Sequence, residues 1–107
     1  MGSLYKGTWR TKNYENGGTF RLTFSTDLDY EKSMISLNNT VKQKKRKFET
    51  TTQIHNVEWG ELLVLHSSEI KVFLVKKENK KTWKGTFFIN DKKKGKLMFQ
   101  EKELRSF

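Results

Sequence analysis

Tyr5-Lys6-Gly7-Thr8-Trp9 and Trp83-Lys84-Gly85-Thr86-Phe87 are the two stretches that decide the fold of this chain. Each sets a glycine two residues from an aromatic on either side. A β-strand turns alternate side chains to opposite faces, so both rings share the glycine's face. Glycine inside a strand marks a bend or a close backbone approach. Rings beside it cover the backbone it leaves bare. Two such strands, one near each end of the sequence, predict a curved, closed sheet with an aromatic-lined interior. The pattern points to an architecture and identifies neither a ligand nor a reaction.

Working outward, residues 5–11 alternate, and residues 19–25 alternate more strongly, with Phe20, Leu22 and Phe24 set against Thr19, Arg21, Thr23 and Ser25. That is the pattern of a half-buried strand. The residues between them, through Asn16-Gly17-Gly18, read as a loop or hairpin. Residues 47–54 put Phe48 and Ile54 on one face, and residues 61–66 and 69–76 are apolar β-branched runs parted by Ser67-Ser68. Residues 81–89 align Trp83, Gly85, Phe87 and Ile89, and residues 95–102 close the chain with Leu97 and Phe99. Residues 27–41 allow two readings. Asp27 suits the start of a short helix carrying Leu28, Tyr30, Met34 and Ile35, whereas residues 33–37 also read as a strand turning at Asn38-Asn39, and the strand is slightly favoured. The expectation is an all-β domain of seven or eight short strands at about ten-residue spacing, a barrel or sandwich. Connections this short favour antiparallel neighbours, hence an up-and-down barrel.

A chain of 107 residues is one domain with a single core. Met1-Gly2-Ser3 reads as a vector scar, leaving residues 4–107 as the domain. Aromatic content of 13% argues against disorder. The net charge of +10, from 22 Lys and Arg against 12 Asp and Glu, points to an anionic partner. Without cysteine there is no disulfide framework and no thiolate chemistry. No apolar run has the length of a membrane span. Localisation stays open between cytoplasmic and secreted with a leader removed.

Catalytic chemistry is sparse, and no cofactor or metal site is expected. His55 and His66 lack ligand spacing and read as surface or strand-end residues. Ser25, Ser33, Ser36, Ser67 and Ser68 have no nucleophile-elbow context. Asp27, Asp29 and Glu31 alternate but lack the glycine and distal glutamate of a calcium loop. No glycine-rich phosphate loop occurs. Glu58-Trp59-Gly60-Glu61 reads as a turn anchored by its Trp. The reading is non-enzymatic.

The lysine runs carry more. Residues 42–47 read Lys-Gln-Lys-Lys-Arg-Lys, and residues 76–81 and 92–96 each hold four lysines. Each run falls at or beside a proposed turn, where lysine also blunts edge strands. In an eight-stranded meander the odd-numbered turns share one end. That end collects Lys12 with Lys42, Lys44, Lys45, Arg46, Lys92, Lys93 and Lys94 as an anion-binding rim. The other end collects Asp27, Asp29, Glu31, Glu58 and Glu61, partly offset by the run at 76–81. Focusing of like charge at one mouth concentrates anions there.

Lys6-Gly7-Thr8-Trp9 resembles the Gly-x-Trp signature that opens the lipocalins, fatty-acid-binding proteins and avidins, together the calycins. Met98-Phe99-Gln100-Glu101-Lys102 resembles the closing strand of the fatty-acid-binding proteins, and small lipocalin-like domains also begin Gly-Thr-Trp. The chain is shorter than most members, and no helical lid follows the first strand. The resemblance implies an up-and-down barrel with Trp9 plugging one end, covered by a basic residue of the last strand, Lys102 or Arg105. It also implies an interior small-ligand site, for which Tyr5, Trp9, Phe24, Trp83 and Phe87 are the candidate lining. Gly7, Gly85, Thr50 and Thr52 are the small inward positions that leave room. The remaining inward candidates are Phe20, Leu22, Phe48, Ile54, Leu63, Leu65, Ile70, Val72, Leu74, Ile89, Leu97 and Phe99. Two functions follow. The first is a non-catalytic binder of a small anionic molecule such as a nucleotide. The alternative is a module that binds nucleic acid or an acidic protein, inhibitor or immunity fashion, with its basic surface.

Overall fold

Period-two alternation runs through almost the whole chain, and the computed structural model, which describes residues 3–13, 15–24, 32–100 and 105–106, turns it into strands. In order they are β1 (Ser3–Thr11), β2 (Gly17–Phe24), β3 (Lys32–Asn39), β4 (Lys44–Val57), β5 (Gly60–His66), β6 (Ile70–Lys77), β7 (Thr82–Ile89), β8 (Lys92–Gln100) and the two-residue β9 (Arg105–Ser106). Each strand from β1 to β8 pairs antiparallel with the next, and β8 returns to β1. The result is a closed eight-stranded up-and-down barrel. β9 adds a short pairing beside Ser3 and Leu4. Among the described residues there is no helix. Of the doubtful segment 27–41, the described part from residue 32 is strand and turn; residues 27–31, the start of the alternative helix, lie outside the described residues.

Closure explains the repeated pentapeptide, and the register shows that the repeat is larger. Tyr5, Gly7 and Trp9 on β1 face Leu22, Phe20 and Gly18 on β2. Trp83, Gly85 and Phe87 on β7 face Phe99, Leu97 and Gly95 on β8. Both hairpins therefore pair aromatic-x-Gly-x-aromatic with Gly-x-large-x-large in the same register. Because β8 also pairs with β1, the repeats form one wall with continuous rungs. One rung runs Trp83, Phe99, Gly7, Phe20, and the next runs Gly85, Leu97, Trp9, Gly18. The glycines match in their surroundings too. A Cβ on Gly7 would strike the Met98 carbonyl and the Phe20 ring, and one on Gly85 the Phe73 carbonyl. In both repeats the glycine thus abuts the backbone of the preceding strand. Such close approaches bend the sheet enough to close it.

The interior is packed. Phe20, Leu22, Ile35, Leu65, Ile70, Val72, Leu74 and Phe87 are fully buried, with Trp9, Trp83, Leu97 and Phe99 against them. Ile54 is a correction. It shares the inward face with Phe48 but is 52% exposed. Among the described residues β4 pairs with β3 as far as Thr51, while its pairing with β5 continues to Val57. The β4–β5 hairpin therefore extends past the described part of β3, and parity alone no longer buries Ile54. Val57 and Trp59 on the same hairpin are exposed as well.

Candidate functional site: the basic end

Connectivity assigns the turns to two ends. The β1–β2, β3–β4, β5–β6 and β7–β8 turns lie at one end, called upper here, and the β4–β5 and β6–β7 turns at the other. The upper turns are braced. Thr11 binds Asn16 through backbone and hydroxyl, fixing the first turn. Asn39 caps the third turn by accepting from the amides of Val41 and Lys42, and its Nδ2 reaches Asn16. Thr40 donates from both N and Oγ1 to the Gly17 carbonyl. Ser67 Oγ accepts from the amides of Glu69 and Ile70, and the Asn90 amide donates to the Glu69 carbonyl. The four turns thus form two hydrogen-bonded pairs, first with third and fifth with seventh.

On this frame stand Lys12, Lys42, Lys44, Lys45, Arg46, Lys92, Lys93 and Lys94, all exposed. Three carboxylates share the end: Glu15, Glu69 and Asp91. Arg46 is engaged, since its guanidinium meets Glu69 at 3.3 Å and lies 4.8 Å from the centre of the Phe48 ring. Asp91 meets Lys71 at 3.1 Å. Both pairs are largely exposed, so each contributes about 0–1 kcal/mol. Among the described residues, Lys42, Lys44, Lys45, Lys92, Lys93 and Lys94 make no ion pair or side-chain hydrogen bond. The run at 42–47 is mostly strand rather than turn, with Lys44 and Lys45 opposite Asn39 and Asn38. β8 begins at Lys92, and a bulge leaves Lys94 unpaired between Lys93, which faces Phe88, and Gly95, which faces Phe87.

β4 and β8 stand four strands apart in a ring of eight, so the two lysine clusters face each other across the mouth. Eight strands about 4.8 Å apart enclose a barrel about 15 Å across, which sets the gap between the clusters at the backbone. Beneath them the mouth is closed. Trp9 and Phe87 meet edge to face at 5.8 Å, and the Trp9 indole N–H is shared between the Thr19 and Asn38 carbonyls at 3.1 and 3.2 Å. The indole therefore crosses β2 at Gly18, where a Cβ would already strike the Asn38 carbonyl. The resemblance implied a basic cover for Trp9, but β9 pairs with β1 at its opposite end, placing Arg105 beside Leu4. Lys102 lies outside the described residues.

The other interior candidates gather lower down. Tyr5 contacts Phe24 and Phe99 at 6.0 and 5.5 Å, and Trp83 stacks on Phe99 at 6.1 Å. Tyr5 and Trp83 are thus joined through Phe99, with Phe24 against Tyr5, while Trp9 and Phe87 form a separate pair above. Lys76 Nζ lies 5.2 Å over the Trp83 ring and 3.2 Å from Glu61. Opposite this layer Thr52 donates to Ser33 Oγ at 2.6 Å, and Ser33 lies 2.6 Å from Thr50 Oγ1. All three hydroxyls are buried, and sequence reasoning had placed two of them inward without their partner Ser33.

The lower end carries both signs. A cleft of about 340 Å³ between the β4–β5 and β6–β7 turns is lined by Glu58, Glu61 and Glu78 together with Lys76, Lys77 and Lys80. The Glu78 amide donates to the Trp59 carbonyl and joins the two turns. Asp27, Asp29 and Glu31 lie outside the described residues. Among those described, no group of His, Asp and Glu is placed to hold a metal ion, and no helix is long and apolar enough to cross a membrane. The chain matches no protein-family model, no curated protein and no solved structure. Its barrel is compatible with a small calycin-like barrel, and the likeness rests on architecture.

Proposed function

We propose that this protein is a non-catalytic binding module that engages an extended polyanion through its upper end. The observation that carries the reading is the opposition of two free lysine clusters over a closed mouth. An anion held there stays outside the barrel, because Trp9 and Phe87 occupy the way in. A single phosphate-sized group touching one cluster lies beyond reach of most of the other, since exposed charges are screened within about 8–10 Å at physiological salt. A polymer or a broad acidic surface can meet both. The braced turns hold the clusters in place beforehand, which reduces the ordering cost of binding.

A second reading, a small ligand held inside as the calycin resemblance implies, draws on one observation: the buried Ser33, Thr50 and Thr52 hydroxyls opposite Tyr5 and Trp83 at the lower end. It places the ligand away from the lysines.

Binding of labelled polyglutamate, followed by anisotropy, separates these readings. Reversing Lys44 and Lys93 together to Glu should weaken binding at least tenfold, while reversing Lys77 and Lys80 should change it by less than threefold. Both variants change net charge equally. Equal losses would mean that the lysines act only through net charge and solubility, and the reading would fall.

A further inference from the structure

The partner class at the basic end can be narrowed by what accompanies the lysines. Resting on the polyanion reading, we infer that the partner is a double-stranded nucleic acid, contacted through its phosphate backbones without reading of sequence.

The first argument is the scarcity of exposed apolar side chains among the described residues of the mouth. Protein partners bury a hydrophobic core within a polar rim, and a few aromatic or aliphatic anchors supply most of the affinity. Among the described residues of the upper turns the exposed large apolar side chain is Val41; Phe48, Trp9 and Phe87 are buried. Among the described residues the mouth is a surface of cations with Val41 as its exposed apolar side chain, which is poorly built for an acidic protein. It matches the polar, strongly positive interfaces that meet nucleic acid.

Stacking supplies the second argument. Proteins that hold single strands set exposed aromatic rings among their basic residues. Here the one ring inside a basic run, Phe48, is turned inward and covered by the Arg46 guanidinium. Of the exposed rings among the described residues, Trp59 lies at the far end on the β4–β5 hairpin, and Phe73 lies on the outer wall of β6, edge to face with Phe88. What remains is charge, supplied almost wholly by lysine, a point-charge donor that contacts phosphate without the fixed fork of arginine.

Spacing is the third. Outward neighbours two apart on a strand, such as Lys45 and Lys47, stand about 6.6 Å apart, close to two phosphate rises of about 3.4 Å along one strand of a duplex. Across the mouth, a gap of about 15 Å between backbones, narrowed by flexible lysine stems, spans the two phosphate rows that flank a groove about 12 Å wide. A single strand offers one such row, whereas a duplex offers two.

Anisotropy with labelled 20-base-pair DNA and RNA duplexes, the matching single strands and polyglutamate, across a salt series, tests this. Expected is duplex binding at least tenfold tighter than single-strand binding, indifferent to base sequence. Affinity for the DNA duplex should fall steeply with salt, with a log–log slope of about −4.5 if about five phosphates are contacted. Lys44→Glu and Lys93→Glu, one per cluster, should each cost about tenfold and together more. The DNA and RNA arms show which duplex is preferred. If polyglutamate depends on the rim lysines but the duplexes bind no better than single strands, the duplex inference is overturned and the polyanion reading stands. If no polyanion depends on the rim, both fall. Thermal melting of each variant, expected within a few degrees of the parent, confirms that the losses do not reflect unfolding.

Discussion

The barrel closes with two walls built on different rules. In the wall formed by β7, β8, β1 and β2, glycines are interspersed with large side chains along and across the strands, so that Gly7 sits among Trp83, Phe99 and Phe20, and Trp9 shares its rung with Gly85, Leu97 and Gly18. In the wall formed by β3 to β6 the inward row holds medium-sized side chains, Ile35, Leu37, Leu63, Leu65, Ile70, Val72 and Leu74, with Phe48 and the hydroxyls of Ser33, Thr50 and Thr52. The first wall gets its curvature from backbones that nearly touch where a Cβ is missing. The second follows it round with ordinary side chains and needs no inward glycine. The difference teaches that closure is enforced on one side only. Large and small must therefore be matched position by position there, whereas the aliphatic wall fills its share of the volume with interchangeable residues.

The sharpest way to break this contrast is to add one methyl group. Gly85→Ala would drive its Cβ into the Phe73 carbonyl and toward the Leu74 Cα, main-chain atoms that cannot swing aside. A loss of about 3 kcal/mol or more is expected by urea unfolding, at the upper end of overpacking costs. Gly7→Ala, at the equivalent place in the other repeat, should cost a similar amount. On the aliphatic wall Leu65→Ile, a volume-conserving swap, should cost under about 1.5 kcal/mol. Equal costs in both walls would refute the division.

A smaller effect probes the plug. Trp9→Phe keeps a ring beside Gly18 but removes the N–H that the Thr19 and Asn38 carbonyls share. About 1–3 kcal/mol should be lost, the cost of leaving partly buried acceptors short of a donor. A change below about 0.5 kcal/mol would mean that only the ring's bulk matters.

The first wall was the legible one. A glycine between aromatics at period two has few readings besides a bent, half-covered strand, so closure could be argued from Gly7 and Gly85. The second half of each repeat, Gly18-x-Phe20-x-Leu22 and Gly95-x-Leu97-x-Phe99, was equally present but passes for ordinary alternation until register pairs it with the first. The start of β4 was hidden because Lys44, Lys45, Arg46 and Lys47 have no apolar alternation; their strand is imposed by pairing with β3. Its far end misled for the converse reason, since Ile54 has inward parity on a hairpin that extends past the described part of β3. At the candidate site, topology alone put two of the three lysine runs, those at 42–47 and 92–96, at one end. Individual pairings such as Arg46 with Glu69 depend on distances no single chain segment carries.

In the aliphatic wall the hydroxyl cluster offers a milder test. Thr52→Val preserves shape and removes one donor, while Ser33 Oγ can still accept from Thr50 Oγ1 and donate to the Thr50 carbonyl. With no polar atom stranded, the expected cost is about 1 kcal/mol or less. A loss above about 2 kcal/mol would show that the three hydroxyls work as one cooperative network.

The smallest effect tests whether the turns of the glycine wall are free to vary while its rungs are not. Asn90 and Asp91 hold φ of 52° and 63°, the left-handed pair of a tight hairpin turn, and Asp91 also meets Lys71. Asp91→Gly removes the cost of a Cβ in that region, about 1 kcal/mol, but gives the unfolded chain more freedom, worth about the same. It also removes an exposed ion pair worth about 0–1 kcal/mol. These contributions nearly cancel, so stability should stay within about 0.5 kcal/mol of the parent by urea unfolding. Electrostatics does not cancel in the same way. The substitution removes one of the three carboxylates of the upper end and releases Lys71 beside Lys92 and Lys93. Duplex binding at low salt should therefore tighten by about two- to threefold, an advantage that disappears as added salt screens the rim. Unchanged stability with tighter binding would separate the turn from the rungs; unchanged affinity would remove Lys71 from the binding surface.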